Sequence, residues 1–140
     1  MNCSKIIISI IAIFTFVFFY EYFIHGVCLQ NIYAQTPELW RTPEAMNEKM
    51  HFMLLSQFLY AASFAIFYAY LYKNTLDKLN GLTYGAFVGI ILSVIQIGVY
   101  AYMPISFALM AYWVVSTFIE SLLAGALLSI MWQCSFCVKK

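Results

Sequence analysis

The chain has 140 residues, 64% of them hydrophobic, 19% aromatic and only 9% charged, with a formal net charge of +1. Soluble domains are about 45–50% apolar and about 25% charged, so seven basic and six acidic side chains cannot solvate a globule this apolar. That composition excludes a soluble enzyme and a disordered segment, and the lack of any Lys/Arg cluster excludes nucleic acid as a partner. An integral membrane protein of one compact domain remains.

A helix that crosses a bilayer needs about 20 mostly apolar residues. The first predicted span runs from about Ile6 to Cys28. Lys5 before it and Ala34 after it could frame a signal peptide. The apolar run is long, however, carries Glu21 and His25 and lacks an Ala-x-Ala site, so a span is expected. Residues 29–51 form the only long connection. Within it, Thr42-Pro43-Glu44 reads as an N-cap followed by Pro at the first helical position. Met46, Met50 and Met53 or Leu54 continue a helical stripe, which predicts a short interfacial helix leading into the second span, with Trp40 anchored at the interface. The second span covers Phe52 to Tyr72 and is followed by a turn at 73–81 containing Asn80-Gly81. The third covers Leu82 to Tyr102. A tight hairpin at 103–105 with Pro104 leads to the fourth, from Ser106 to about Trp132. The runs are long and do not alternate, so helices are expected rather than barrel strands. The predicted fold is an all-α, four-helix transmembrane bundle with a short interfacial helix in the first outer loop.

With four spans, both termini share one side with the 73–81 turn. That side carries Lys5, Lys73, Lys78, Lys139 and Lys140 against Arg41 and Lys49 on the other, so the positive-inside rule makes both termini cytoplasmic in a bacterial inner membrane. Small residues at four-residue spacing mark close helix contacts in membranes. They occur at Ala61, Ala65 and Ala69, at Gly81, Gly85, Gly89 and Ser93, and at Thr117, Ser121, Gly125 and Ser129. Packing within the chain is the favoured use of these stripes over a dimer interface. Tyr20, Tyr22, Tyr100, Tyr102, Tyr112 and Trp113 near one face, and Tyr68, Tyr70, Tyr72, Tyr84 and Trp132 near the other, read as an aromatic belt.

Polar groups inside a membrane are costly and usually face a bundle interior or a wet cavity. Glu120 falls near the middle of the fourth span, one turn after Ser116 and Thr117. Glu21 and His25, four apart, share a face of the first. Gln57 and Gln96 fall at similar depth in the second and third. Glu21, His25, Gln57, Gln96 and Glu120 are therefore expected to converge on one outward-opening pocket, and a protonated Glu120 would donate to a backbone carbonyl or to Gln96. Read structurally, the same groups are a hydrogen-bond network that fixes helix register.

Cys134-Ser135-Phe136-Cys137 has the spacing of a redox pair or half a zinc site. It falls on the reducing cytosolic side, where an incidental thiol pair is the favoured reading. His25, His51, Glu21 and Glu44 are too scattered for a metal site, and no His-Glu-x-x-His, P-loop or catalytic triad is present. No cofactor is expected.

Glu21-Tyr22-Phe23-Ile24-His25-Gly26-Val27 and Leu39-Trp40-Arg41 resemble a family of small, uncharacterised bacterial four-span inner-membrane proteins. Its pattern is a His-Gly pair at the end of the first span, then a loop with Tyr and Leu-Trp-Arg, then an amphipathic stretch with Met. The matching positions here are His25, Gly26, Tyr33, Leu39, Trp40, Arg41 and Met46. The resemblance implies a four-span bundle and brings no established activity, and the Cys-Ser-Phe-Cys end is not part of its pattern.

These readings give a non-enzymatic membrane protein whose outward-facing polar pocket binds a small solute, a lipid group or a partner helix. Glu120, His25 and Glu21 carry the polarity, Gln57 and Gln96 orient it, and Trp40, Arg41 and Glu44 form a lid or docking surface. The partners it allows are the lipid bilayer, further copies of the chain or a second membrane protein. The first alternative is a small proton-coupled transporter or channel using Glu120, and the second is a membrane thiol-redox enzyme using Cys134 and Cys137.

Overall fold

The computed structural model describes residues 3–74 and 80–133, and every regular element among them is helical. Four helices are long and apolar enough to cross a membrane, namely Cys3–Cys28, Pro43–Tyr72, Gly81–Val99 and Phe107–Trp132. The chain is a multi-pass membrane protein built as an all-α four-helix bundle. The first crossing is α1 (Cys3–Glu21), continued by a π-helical segment (Tyr22–Cys28). A one-turn α2 (Gln30–Tyr33) and a 3-10 turn (Pro37–Leu39) shape the loop that follows. The remaining crossings are α3 (Pro43–Asn74), α4 (Gly81–Val99) and α5 (Phe107–Gln133).

Local sequence sets the helix starts. The Thr42 hydroxyl accepts the Ala45 N–H at 3.3 Å and the Thr42 carbonyl accepts the Met46 N–H at 2.9 Å. Pro43, which has no N–H to leave unpaired, takes the first helical position. The amphipathic stretch that starts there does not stop at the interface. With no Gly or Pro between Glu44 and Asn74, it runs unbroken into the span, and the separate short helix of the loop is α2. Asn80 caps α4 by accepting the Leu82 N–H at 2.9 Å, the usual work of an Asn at this position.

The helices associate as two pairs. In the first, α4 lies so close to α5 that backbone touches backbone. A Cβ placed on Gly81 would sit 2.0 Å from the Gly125 carbonyl oxygen, one on Gly85 would sit 2.3 Å from the Ser121 carbonyl oxygen, and one on Gly125 would sit 2.1 Å from the Gly81 carbonyl oxygen. Gly81 thus serves close approach, not a turn, and its φ is negative like that of every described glycine. In the second pair α1 lies against α3, with Ile13 and Val17 in one buried cluster with Ala61, Phe64, Ala65 and Tyr68. Lipid tails are as apolar as Leu, so such contacts hold through packing and hydrogen bonds, not through exclusion of water.

Polar ties join the pairs. The Tyr84 hydroxyl donates to the Phe64 carbonyl at 2.9 Å, and the Tyr60 and Ser121 hydroxyls meet at 3.2 Å. At the end of the bundle remote from α2, Lys5 Nζ donates to the Trp132 carbonyl at 3.0 Å and lies 5.0 Å from the centre of the indole ring. Trp132 Nε1 donates to Ser9 Oγ at 3.0 Å. A cation at the carboxyl end of α5 also complements its dipole. Of the aromatic residues assigned to a belt, Tyr68 and Tyr84 are instead buried between helices, whereas Tyr22, Tyr70, Tyr100, Tyr102 and Tyr112 are exposed on the apolar surface.

The backbone contact of α4 and α5 gives a paired test. Gly125→Ala is expected to lower stability by about 1–3 kcal/mol, because the new methyl must displace backbone. Gly98→Ala, where a Cβ meets nothing within 4 Å, is expected to change it by less than about 0.5 kcal/mol. Denaturant titration of both variants in the same detergent, followed by circular dichroism, reads the difference.

Candidate functional site

The loop end of the bundle carries a cavity of about 290 Å³ lined by Glu21, His25, Gln96, Trp113 and Thr117. Four helical segments of three crossings supply it. Glu21 ends α1 and His25 lies one turn on, in the π-helical segment. Such segments insert an extra residue per turn and recur at functional sites. Gln96 comes from α4. Trp113 and Thr117 come from α5 at a spacing of four, so they share a face.

The cavity residues are wired to one another. His25 Nε2 lies 3.2 Å from Glu21 Oε2, and His25 Nδ1 is hydrogen-bonded to the Tyr33 hydroxyl. Trp113 Nε1 donates to the same hydroxyl oxygen at 2.8 Å. α2 turns Tyr33 back over the site, and its ring stacks on His25 with centroids 6.0 Å apart. Burial holds the Tyr33 phenol above its ordinary value, an effect the Trp113 N–H partly offsets. The phenol therefore keeps its proton near neutral pH. Its oxygen accepts from Trp113 and also meets His25 Nδ1, so one hydroxyl joins the indole to the imidazole.

Glu120 stands next to this set, not on the cavity wall. It is 7% exposed, and its carboxyl is within hydrogen-bonding reach of that of Glu21. No N–H or hydroxyl group reaches Glu120 Oε1, and the same holds for Gln57 Oε1, although both atoms are buried.

Of the five residues expected to converge, the structure brings Glu21, His25 and Gln96 together at the cavity and places Glu120 beside Glu21. Gln57 is buried on α3, one turn from Tyr60, but does not line the cavity. Its helix is paired with α1, while the cavity opens between α1, α4 and α5. Of the predicted lid, Trp40 covers the site. It packs on Tyr33 (5.0 Å) and Trp113 (6.3 Å), and its Nε1 donates to Thr36 Oγ1 at 3.3 Å. Arg41 and Glu44 point to the exterior, where Glu44 complements the amino end of α3. Trp113 and Tyr33 are the site residues that sequence reasoning passed over. The spacing of Trp113, Thr117 and Glu120 along one face of α5 was the available signal for the first. A second cavity of about 250 Å³, walled mainly by apolar groups of α1 and α5, lies beside the first. Cys134 and Cys137 lie outside the described residues, and no group of three metal-ligating side chains occurs among the described ones.

Compared with known protein families, curated proteins and solved structures, the chain matches none.

Removing the shared hydroxyl tests the network. Tyr33→Phe leaves the Trp113 N–H and His25 Nδ1 without this partner and is expected to cost about 1–2 kcal/mol of stability. Tyr22→Phe, on the exposed surface, is expected to cost nothing measurable. Chemical denaturation of the two variants side by side checks this.

Proposed function

We propose that this is a small multi-pass protein of a bacterial inner membrane, with both termini cytoplasmic, whose outward-facing polar cavity binds a small solute bearing an ammonium-like positive charge. The orientation is supported by five cations on the termini's side against two on the other. The resemblance of the His-Gly and Leu-Trp-Arg segments to a bacterial inner-membrane family supports the compartment.

The binding reading is carried by one observation: Glu120, whose carboxyl neighbours that of the cavity residue Glu21, buries an oxygen that no N–H or hydroxyl reaches. A network built only to fix helix register satisfies its own members, because an unpaired buried polar group is costly at low dielectric. The charge at the cavity is acidic. The cavity is bordered by the Glu21 carboxyl, with that of Glu120 behind it, and no lysine or arginine lines it. A guest that supplies N–H donors and positive charge complements such a set. Trp113 adds a ring face of the kind that attracts organic cations. The volume suits a guest of few heavy atoms, since ligand pockets for drug-sized molecules begin at about 300 Å³.

The test uses the full chain in phosphatidylglycerol nanodiscs, with Trp40 and Trp132 replaced by Phe so that Trp113 reports alone. Methylammonium chloride is expected to change its fluorescence saturably, and Glu120→Gln to weaken that binding at least about tenfold. Acetate and acetamide are expected to give no response. Equal binding of acetamide would make the guest neutral, and silence toward all three would end the reading. Nanodiscs containing phosphatidylethanolamine separate the two sources of ammonium. A weaker apparent affinity there identifies the lipid headgroup as the occupant, and an unchanged one identifies a free amine.

A further inference from the structure

We propose that the loop end of α3 carries a binding site for a soft monovalent metal cation, Cu(I) or Ag(I), held by the thioethers of Met46, Met50 and Met53. None of the three lines the polar cavity, so this site is separate from the one proposed above and stands without it.

The donor set follows from helical spacing. Of the seven methionines in the chain, three fall within residues 46–53. Positions three and four apart on a helix are neighbours, with Cβ atoms about 5–6 Å apart, so Met46, Met50 and Met53 form one row on α3. Helical side chains lean toward the amino end, which carries the thioethers of Met50 and Met53 back toward Met46. A methionine side chain has three rotatable bonds, enough for three sulfurs to close on one ion. Thioether sulfur is a soft, neutral donor that selects Cu(I) over hard cations, and Ag(I) shares that softness and charge. At 3.6 residues per turn, Glu44, Glu48 and His51 fall toward the opposite side of the helix, so the row presents sulfur alone. Lys49 borders the row, and its exposed ammonium is screened by water.

The position of the row favours a ligand over lipid. The 32 residues of α3 extend about 48 Å at 1.5 Å per residue, against about 30 Å of hydrocarbon. Residues 52–72 alone reach about 32 Å and complete the crossing. The turns before them, with Glu44, Asn47, Glu48, Lys49 and His51, stand past the hydrocarbon. There Met46, Met50 and Met53 are 49%, 40% and 42% exposed. Their row is nonetheless not the lipid-facing side of α3. Continued at the same spacing it runs through Gln57, Ala61, Phe64 and Tyr68, all buried within the bundle. A helix end that served only to rest on lipid would turn its apolar row the other way.

The test uses the full chain in nanodiscs with 13C-labelled methionine methyl groups, read by NMR. The probes are silver nitrate in chloride-free buffer and Cu(I) kept reduced by ascorbate. The Met46, Met50 and Met53 signals are expected to shift together and saturate with one shared apparent Kd, while those of Met103 and Met110 stay in place. Each methionine reports for itself, so metal taken up by cysteine thiols is read apart from this site. Met46→Leu, Met50→Leu and Met53→Leu keep an apolar side chain at an exposed position, and each is expected to weaken silver binding at the remaining two about tenfold. His51→Ala is expected to leave it unchanged, and zinc and magnesium are expected to move no methionine signal. Unmoved signals overturn the site and leave the row as an apolar face for a partner helix. Shifts that survive undiminished in all three variants overturn the shared coordination, and a response to zinc equal to that to silver overturns the choice of a soft ion.

Discussion

The contact on which the rest depends is the backbone-to-backbone approach of α4 and α5. At Gly81, Gly85 and Gly125 no side chain intervenes, and even a methyl group would collide with a carbonyl oxygen. Where lipid is as apolar as the protein, this closeness replaces the hydrophobic drive that assembles soluble bundles. It also fixes rotation. Once the glycine faces of α4 and α5 meet, Gln96 and the Trp113–Thr117 face are committed to the same side. The Ser93 hydroxyl seals this register by donating to the Val114 carbonyl at 2.9 Å.

The first crossing completes the site by departing from regular helix at its end. The π-helical segment carries His25 past Glu21, and α2 folds Tyr33 back onto the imidazole. Glu21, His25, Tyr33 and Trp113 therefore form a linear chain of donors and acceptors in place of isolated polar side chains, each of which would be costly at this depth. Trp40 caps the chain from above, with Leu29, Ile105, Leu109 and Met110 as its apolar bed.

How much of this was legible in the sequence differs by scale. The four spans, the Thr42-Pro43 helix start and the small-residue stripes follow from local chemistry, so they are readable without a fold. The pairing of Glu21 with His25 follows from spacing on one helix. Depth can be counted along each span, which is why Gln96 and Glu120 were placed near Glu21. Rotation about each helix axis cannot be counted in this way, and Gln57 shows the cost, because it lies at the right depth on a helix that turns it away from the cavity. The π-helical segment and the return of Tyr33 depend on contacts across the bundle, so no local pattern encodes them. Trp113 looked like an interfacial aromatic because an indole at a span's end usually is one.

The two ends of the bundle are fastened by different means. Remote from the cavity, the ammonium of Lys5 grips both the carbonyl and the ring of Trp132, and the Trp132 indole N–H grips Ser9 in turn. Around the cavity, ring contacts, the Tyr33 hydroxyl and the Tyr20 hydroxyl, which donates to the Ser116 carbonyl at 2.9 Å, do the fastening. Between these ends the Tyr84 hydroxyl ties α4 to α3 and the Tyr60 and Ser121 hydroxyls tie α3 to α5, so the pair α1–α3 is held to the pair α4–α5 along the length of the bundle. A bundle laced in this way holds the shape of its polar cavity before any guest arrives, and a site shaped in advance spares a guest the cost of ordering it.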